Sequence, residues 1–319
     1  MPRIIRPADR GYNLPAANFF LESTALVQNH HEMASSYRGR FAPSPTGPLH
    51  RGSLVAALAS WLDARANQGK WLIRLEDIDT PRERPGAAAE QIASLARLGM
   101  ESDEPILYQS TRGTAYALAL QELWAKCRVF HCDCSRSRRA AEDPQGTVAP
   151  YPGTCRDRGL DAPAAVRFRV EPGIETVLDR AQGVLEQDVA AAVGDFIVRR
   201  SDGLWAYQLA VVVDDAYQGI THIVRGADLL DNTPRQRQLQ RALGLPHPVT
   251  LHVPLVRDAS GRKLSKQEGD APLAALEPLE ALEQAWQHLG FAPSAAGSLR
   301  EFQEIAITRW AQRWRLDEA

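Results

Sequence analysis

The 319-residue sequence predicts an α/β fold: a doubly wound parallel sheet, a small inserted subdomain and a short C-terminal helical region. Three observations predict it. Short apolar runs alternate with longer helical periodicities from Phe41 to Lys126. The alternation breaks at Phe130, where Pro, Gly and Cys accumulate, and it resumes at Phe196. Two amphipathic segments then close the chain without further strands.

Taken in order, residues 1–35 read as an extension, with Pro2, Pro7, Pro15 and a His30-His31 pair and only a short mixed segment at 19–27. Translation is expected to begin at Met33, ahead of the first ordered pattern. The first half of the α/β domain is expected over 36–128. A strand at Phe41 leads into a Pro-rich turn at 43–48, a helix runs from Ser53 until it ends near Gly69, and 71–75 is a buried strand. Helices follow at 86–98 and 111–126. Residues 129–195 read as the insert, with a short strand at 165–170. The second half, 196–260, resumes with the apolar runs 196–199, 205–213 and 219–224, a helix opened by Thr233 as N-cap with Pro234 behind it, and a strand at 249–256. Residues 261–319 hold a basic loop and helices at 277–289 and 299–314.

Composition narrows the function classes. Hydrophobic and charged contents of 44% and 24% are those of a globular protein. A net charge of -2 excludes a globally basic nucleic-acid binder, so any RNA contact must come from a local patch. Arg136, Arg138, Arg139, Arg156, Arg158 and the arginines of 309–315 are candidates for it, each equally readable as solvated charge. No apolar run approaches the ~20 residues of a membrane span, and no secretory leader is legible. Four cysteines in that setting point to a reducing cytoplasm. Lysine is scarce: Lys70, Lys126, Lys263 and Lys266 are the only four among 37 basic residues. Two lysines three residues apart in such a chain point to a need for a compact ammonium charge.

Two segments carry phosphate chemistry. Arg40 to Ser53 reads R-F-A-P-S-P-T-G-P-L-H-R-G-S, a sharp turn from strand to helix with His50 and Gly52 at the helix start. Backbone N–H groups converge at such a terminus, Gly permits close approach, and an imidazole N–H can donate to phosphate oxygens. Lys263-Leu-Ser-Lys266 follows a polar Gly-bearing turn, where mobile lysines can follow charge as it builds on phosphate. A third segment, Arg74-Leu-Glu-Asp-Ile-Asp79, lies at the end of a strand, where open α/β sheets bind ligands. Cys132-Asp-Cys134 with Tyr151-Pro-Gly-Thr-Cys155 gathers three thiolates, for which zinc is favoured over free thiols. His131 would point elsewhere on an extended segment, and Cys127 reads as a core cysteine.

Together and in this order, the first two segments resemble the paired ATP signatures of class I aminoacyl-tRNA synthetases. A-P-S-P-T-G-x-L-H-x-G is similar to the signature of glutamyl-tRNA synthetases, whose H-I-G-H element stands here as His50-Arg51-Gly52-Ser53. The K-M-S-K-S loop stands as K-L-S-K, with Leu264 for Met and Gln267 for the last Ser. The resemblance implies a Rossmann-type sheet and ATP with Mg²⁺ at His50, Gly52, Ser53 and Lys266, with Lys263 and Lys266 acting on the phosphates. By position in the matching motifs it implies an L-glutamate pocket made of Arg40, Ser44, Glu76, Tyr207 and Arg225. Glu76 faces the α-ammonium, and an arginine fork suits the side-chain carboxylate.

C-x-C with Y-x-x-x-C resembles the zinc motif of the glutamyl-queuosine tRNA(Asp) synthetases. The resemblance implies one structural Zn²⁺ on Cys132, Cys134, Tyr151 and Cys155, so that the insert is a zinc-binding subdomain. Only 53 residues follow Lys266, too few for an anticodon-binding domain. The family's reaction is the expectation: activation of glutamate, then its transfer to queuosine in the anticodon of tRNA(Asp). A truncated glutamyl-tRNA synthetase and a non-catalytic paralogue are the rivals. The expected partners are glutamate, ATP and queuosine-containing tRNA(Asp), with no membrane, and a monomer is favoured.

Overall fold

The computed structural model describes residues 37–134, 150–161, 164–256, 273 and 276–314. The 1–35 extension with Met33, the loop carrying Lys263 and Lys266, and Arg136, Arg138 and Arg139 lie outside the described residues. In chain order the first part comprises β1 (Arg38–Phe41), α1 (Arg51–Ala66), β2 (Lys70–Leu75), α2 (Ala87–Arg97), β3 (Leu107–Tyr108) and α3 (Gly113–Ala125). There follow β4 (Val129–Cys132), β5 (Ala165–Phe168), β6 (Ile174–Asp179), β7 (Gly183–Asp188), α4 (Val189–Ala192) and β8 (Phe196–Arg199). The last part is α5 (Tyr207–Tyr217), β9 (His222–Gly226), α6 (Thr233–Ala242), β10 (Val249–Val253), α7 (Pro278–His288) and α8 (Leu299–Trp314).

The architecture is mixed α/β with parallel sheet. β1, β2 and β3 pair in parallel in that order, and β9, β10 and β6 pair in parallel, with β7 returning antiparallel from β6 as a hairpin. Just ahead of β9, the backbone N–H of Thr221 donates to Arg38 O at 3.0 Å, bringing β9 beside β1. A separate antiparallel sheet has the order β4-β5-β8. The sheets therefore divide the chain differently from a break at residue 195. The hairpin β6–β7 of the 129–195 segment joins the parallel sheet, whereas β8 joins the antiparallel one.

Helix α1 packs against β1 and β9 and against α7 and α8. Leu54, Val55, Leu58, Trp61 and Leu62 are buried, in one core with Trp71 of β2 and with Trp286, Phe302 and Trp310 of the C-terminal helices. Fully buried side chains of this size stabilise by about 1.5–3 kcal/mol each. Asp63 sits inside that core and is fully buried. It accepts hydrogen bonds from Tyr37 Oη at 2.7 Å, Arg180 Nη1 at 2.6 Å and Trp310 Nε1 at 2.9 Å. A second core joins α3, α5 and α6 to β5 and β8.

One apolar run resolves into a helix, and two expectations are corrected. The middle apolar run at 205–213 is helical from Tyr207, despite three consecutive β-branched valines. Leu209 to Val212 bury on the second core while Asp214 and Asp215 find internal partners, so tertiary packing overrides β propensity. Thr233 has helical φ and ψ, and Asn232 precedes the helix as its cap position. Cys127 is exposed, with φ of 53° just beyond α3, and is not a core residue. No helix among the described residues is long and apolar enough to cross a membrane.

Candidate active site

A cleft of about 500 Å³ opens where β1, β2 and β9 end and α5 begins. Arg40, Ser44, Glu76, Tyr207 and Arg225, spread over 186 positions of sequence (225 − 40 + 1), all line it. Strand β1 supplies Arg40 and the turn after it supplies Ser44. Glu76 follows β2, its backbone N–H bonded to Pro43 O at 2.9 Å. Tyr207 is the first residue of α5, and Arg225 lies near the end of β9.

The two arginines are held differently. Arg40 is buried, and its Nε donates to Asp215 Oδ1 at 2.9 Å. Arg74 Nη1 reaches the same oxygen at 2.8 Å, and Arg74 Nη2 lies 3.5 Å from Glu76 Oε1. Burial raises the Asp215 pKa, but Arg40 and Arg74 outweigh it and hold the carboxyl below its usual range. At Glu76 burial wins over the same two arginines and the carboxyl is raised. Arg225 donates from Nε to His252 Nε2 at 2.9 Å and from Nη1 to Tyr207 Oη at 3.3 Å. Its Nη2 faces Thr233 Oγ1 and Gln236 Oε1, each at 2.9 Å, and Leu229 O at 3.3 Å. Every one of these acceptors is uncharged or neutral. Burial pulls the Arg225 pKa down and pushes that of Tyr207 up.

The arrangement suits an α-amino acid with an acidic side chain. Glu76 offers a carboxylate for an ammonium, and Arg225 with Tyr207 offers donors for a carboxylate. At the start of α1, His50 caps the helix, its Nδ1 accepting from Ser53 N at 3.3 Å, which leaves Nε2 as the protonated nitrogen. A Cβ on Gly52 would sit 3.1 Å from His50 Cε1, so any larger residue would push the ring aside by a few tenths of an ångström. Lys263 and Lys266, expected to work with this turn, are outside the described residues.

The cysteine cluster also assembles. The sulfurs of Cys132, Cys134 and Cys155 lie within 4.8 Å of one another and can hold a metal ion. Tyr151 Oη is 3.5 Å from Cys132 Sγ and 4.0 Å from Cys134 Sγ, and it accepts the Cys155 backbone N–H at 2.9 Å. Three sulfurs and one phenol oxygen gathered in this way offer four donor atoms, the number a tetrahedral structural metal site takes. Tyr151 is seated by its backbone bond to Val193, where Gly194, at φ of 69°, passes so close that a Cβ would lie 2.3 Å from Tyr151 O. Burial works against the Cys132 thiolate, yet its hydrogen bonds with Tyr151 and Arg167 lower its pKa, while burial and the neighbouring thiols push Cys134 up to about 11. His131 stacks on Trp124, 4.8 Å between ring centroids, away from the sulfurs. Arg156 and Arg158 are paired with Asp195 and Asp133.

Sequence reasoning missed Asp215, His252 and Asp179, the last bonded to His252 Nδ1 at 2.6 Å. A histidine amid the apolar residues of V-T-L-H-V and paired aspartates behind three valines were the available signals.

Comparisons agree with this geometry. Residues 36–283 match the family model of tRNA synthetases class I (E and Q), catalytic domain. The chain is 55% identical over 293 residues to a glutamyl-Q tRNA(Asp) synthetase of Bordetella bronchiseptica, covering 89% of this chain and 92% of that protein. It is also 55% identical over 294 residues to one of Burkholderia cenocepacia, covering 88% and 98%. Among solved structures, a glutamate tRNA ligase from Elizabethkingia meningosepticum in complex with its amino acid superposes with a TM-score of 0.66 at 28% identity. The match covers 74% of this chain and 53% of that one, so the chain spans about half the length of that ligase.

Proposed function

The chain belongs to the class I tRNA synthetases of the E and Q type, a family of ligases, and from that membership we propose that it activates L-glutamate with ATP and transfers it to queuosine in tRNA(Asp). The observation that carries the proposal is the convergence of Arg40, Ser44, Glu76, Tyr207 and Arg225 on one cleft that α1, the helix His50 caps, also lines through Ala56.

In this reading Glu76 receives the α-ammonium, and Arg225 and Tyr207 receive the side-chain carboxylate. The α-carboxylate is left pointing toward the start of α1. ATP lies across His50, Gly52 and Ser53, with Lys263 and Lys266 closing on its phosphates; bound Mg²⁺ supplies charge neutralisation there. A carboxylate oxygen of glutamate attacks the α-phosphorus, the bond to pyrophosphate breaks, and glutamyl-adenylate forms. A hydroxyl of the queuosine cyclopentene-diol then attacks the activated carbonyl. An ester forms, AMP leaves, and the hydroxyl proton passes to solvent or to the departing phosphate. A mixed anhydride needs no protein nucleophile, and positioning with fixed charge supplies the acceleration.

Cys132, Cys134, Tyr151 and Cys155 hold one structural zinc ion in this proposal, which braces the insert of the doubly wound, Rossmann-type catalytic domain. Relatives named for tRNA(Asp) support this choice of acceptor.

The test supplies ATP and labelled glutamate with three acceptors: queuosine-containing tRNA(Asp), queuosine-free tRNA(Asp), and glutamate tRNA. Label on the first alone is the expected result. Label on glutamate tRNA, or on none, would overturn the proposal.

A further inference from the structure

Arg225, His252 and Asp179 stand side by side on three neighbouring parallel strands. In the register of β9 and β10, His252 pairs with Arg225, and in that of β10 and β6, Thr250 pairs with Asp179. His252 is fully buried and Asp179 is 1% exposed, and neither lines the cleft. We propose that His252 and Asp179 are positioning residues for Arg225, fixing its guanidinium through an uncharged acceptor so that its positive charge meets the substrate's side-chain carboxylate unneutralised. This rests on the glutamate-activating reading above.

The proton positions follow from valence. An arginine Nε can only donate, so His252 Nε2 is the acceptor and the ring proton sits on Nδ1. That proton is donated to Asp179 Oδ2 at 2.6 Å. The other oxygen of Asp179 is saturated by backbone N–H groups of Ala181 at 3.1 Å, Gln182 at 3.0 Å and His252 at 3.1 Å. The carboxylate therefore has a full set of donors while remaining one residue removed from the arginine. Burial keeps the imidazole pKa low, in keeping with a neutral ring.

The arrangement fixes direction as well as charge. The Nε and both Nη2 hydrogens are directed at His252, Thr233, Gln236 and Leu229, and Tyr207 takes one on Nη1. One Nη1 hydrogen is left for the cleft. No carboxylate among the described residues is within ion-pair distance of Arg225, in contrast to Arg40 on Asp215. A direct acidic partner in place of His252 would hold the guanidinium equally well but would cancel the charge that recognises the substrate.

Two measurements test this. The first is glutamate-dependent ATP–pyrophosphate exchange by the whole protein and by His252→Leu and His252→Gln. Leucine removes the acceptor, and the glutamate KM is expected to rise roughly 10- to 100-fold with the ATP KM unchanged. Glutamine offers Oε1 near the lost Nε2, and is expected to recover most of the glutamate KM. A wild-type glutamate KM in His252→Leu, or equal rises in both substrates' KM in the two variants, would overturn the proposal. The second is the ¹⁵N shifts of the His252 ring in the protein without ligands, which need no activity. The Nδ1–H tautomer is expected; an Nε2–H or doubly protonated ring would overturn the proposal whatever the enzyme makes. Absence of exchange by the unaltered protein would instead defeat the glutamate-activating reading.

Discussion

Arg40 and Arg225 face the same cleft from β1 and β9, yet one is neutralised before substrate arrives and the other is not. Arg40 shares the Asp215 carboxylate with Arg74, whereas Arg225 rests on a neutral imidazole, a phenol, a hydroxyl, an amide and a carbonyl. Identical residue types in adjacent strands thus divide two tasks. In the proposed reading the compensated arginine braces the pocket it lines, and the uncompensated one is left to recognise a carboxylate.

The largest expected effect is on the compensated side. Asp215→Ala strands two buried guanidiniums and is expected to destabilise the fold by about 3–5 kcal/mol, read by urea unfolding. An unchanged midpoint would break the comparison at once. Arg225→Leu comes next, with the opposite signature: the glutamate KM is expected to rise roughly 100-fold, about 3 kcal/mol, while unfolding stability stays level or improves. A parallel loss of stability would make the two arginines alike after all.

A pH series refines the contrast. Asp179 is held at about 2 because hydrogen bonds from His252 and backbone N–H groups overcome its burial. A carboxyl depressed in the folded state contributes stability that is present above its unfolded value, about 4, and is lost as pH falls toward 2. Asp179→Asn is therefore expected to cost roughly 2 kcal/mol at neutral pH, a difference that closes as pH falls from about 4 to 2. Glu76 runs the other way: its raised carboxyl favours folding below the unfolded value, and that contribution is lost as pH rises through its folded one. The smallest effect is expected from chelating the zinc proposed for the cysteine cluster, with Mg²⁺ kept in excess, because that cluster shares no residue with the cleft. Glutamate-dependent exchange is expected to stay within roughly twofold. A collapse of exchange on chelation would tie the two sites together.

Much of this was legible in the chain. Pro and Gly punctuation located the turn before α1, helical periodicity located α7 and α8 almost to the residue, and the motif positions marked five side chains that meet in one cleft. What stayed hidden depends on neighbours distant in sequence. Asp215 acquires its meaning from Arg40, 175 positions away, and Asp179 from His252, 73 positions away. Local pattern cannot tell such carboxylates from surface ones. The run 205–213 is left without an element type in the sequence for a related reason, because a valine triplet suits a strand until the helix's buried aspartates find their partners. Cys127 reads as core because cysteine usually is, but it stands in a left-handed turn past the end of α3.

Asp63 gives helix α1 a second role. The helix offers His50 at one end, and near the other its carboxylate is gripped by Tyr37, by Arg180 from the β6–β7 turn and by Trp310 from α8. It is a strut anchored at its foot, with the proposed nucleotide site at its other end. The last helix of the chain, though it lines none of the main cleft, helps set the rigidity with which that tip is presented. Loosening the foot by Trp310→Phe removes the indole N–H from Asp63 and would let the strut rock, blurring the proposed phosphate site without touching it.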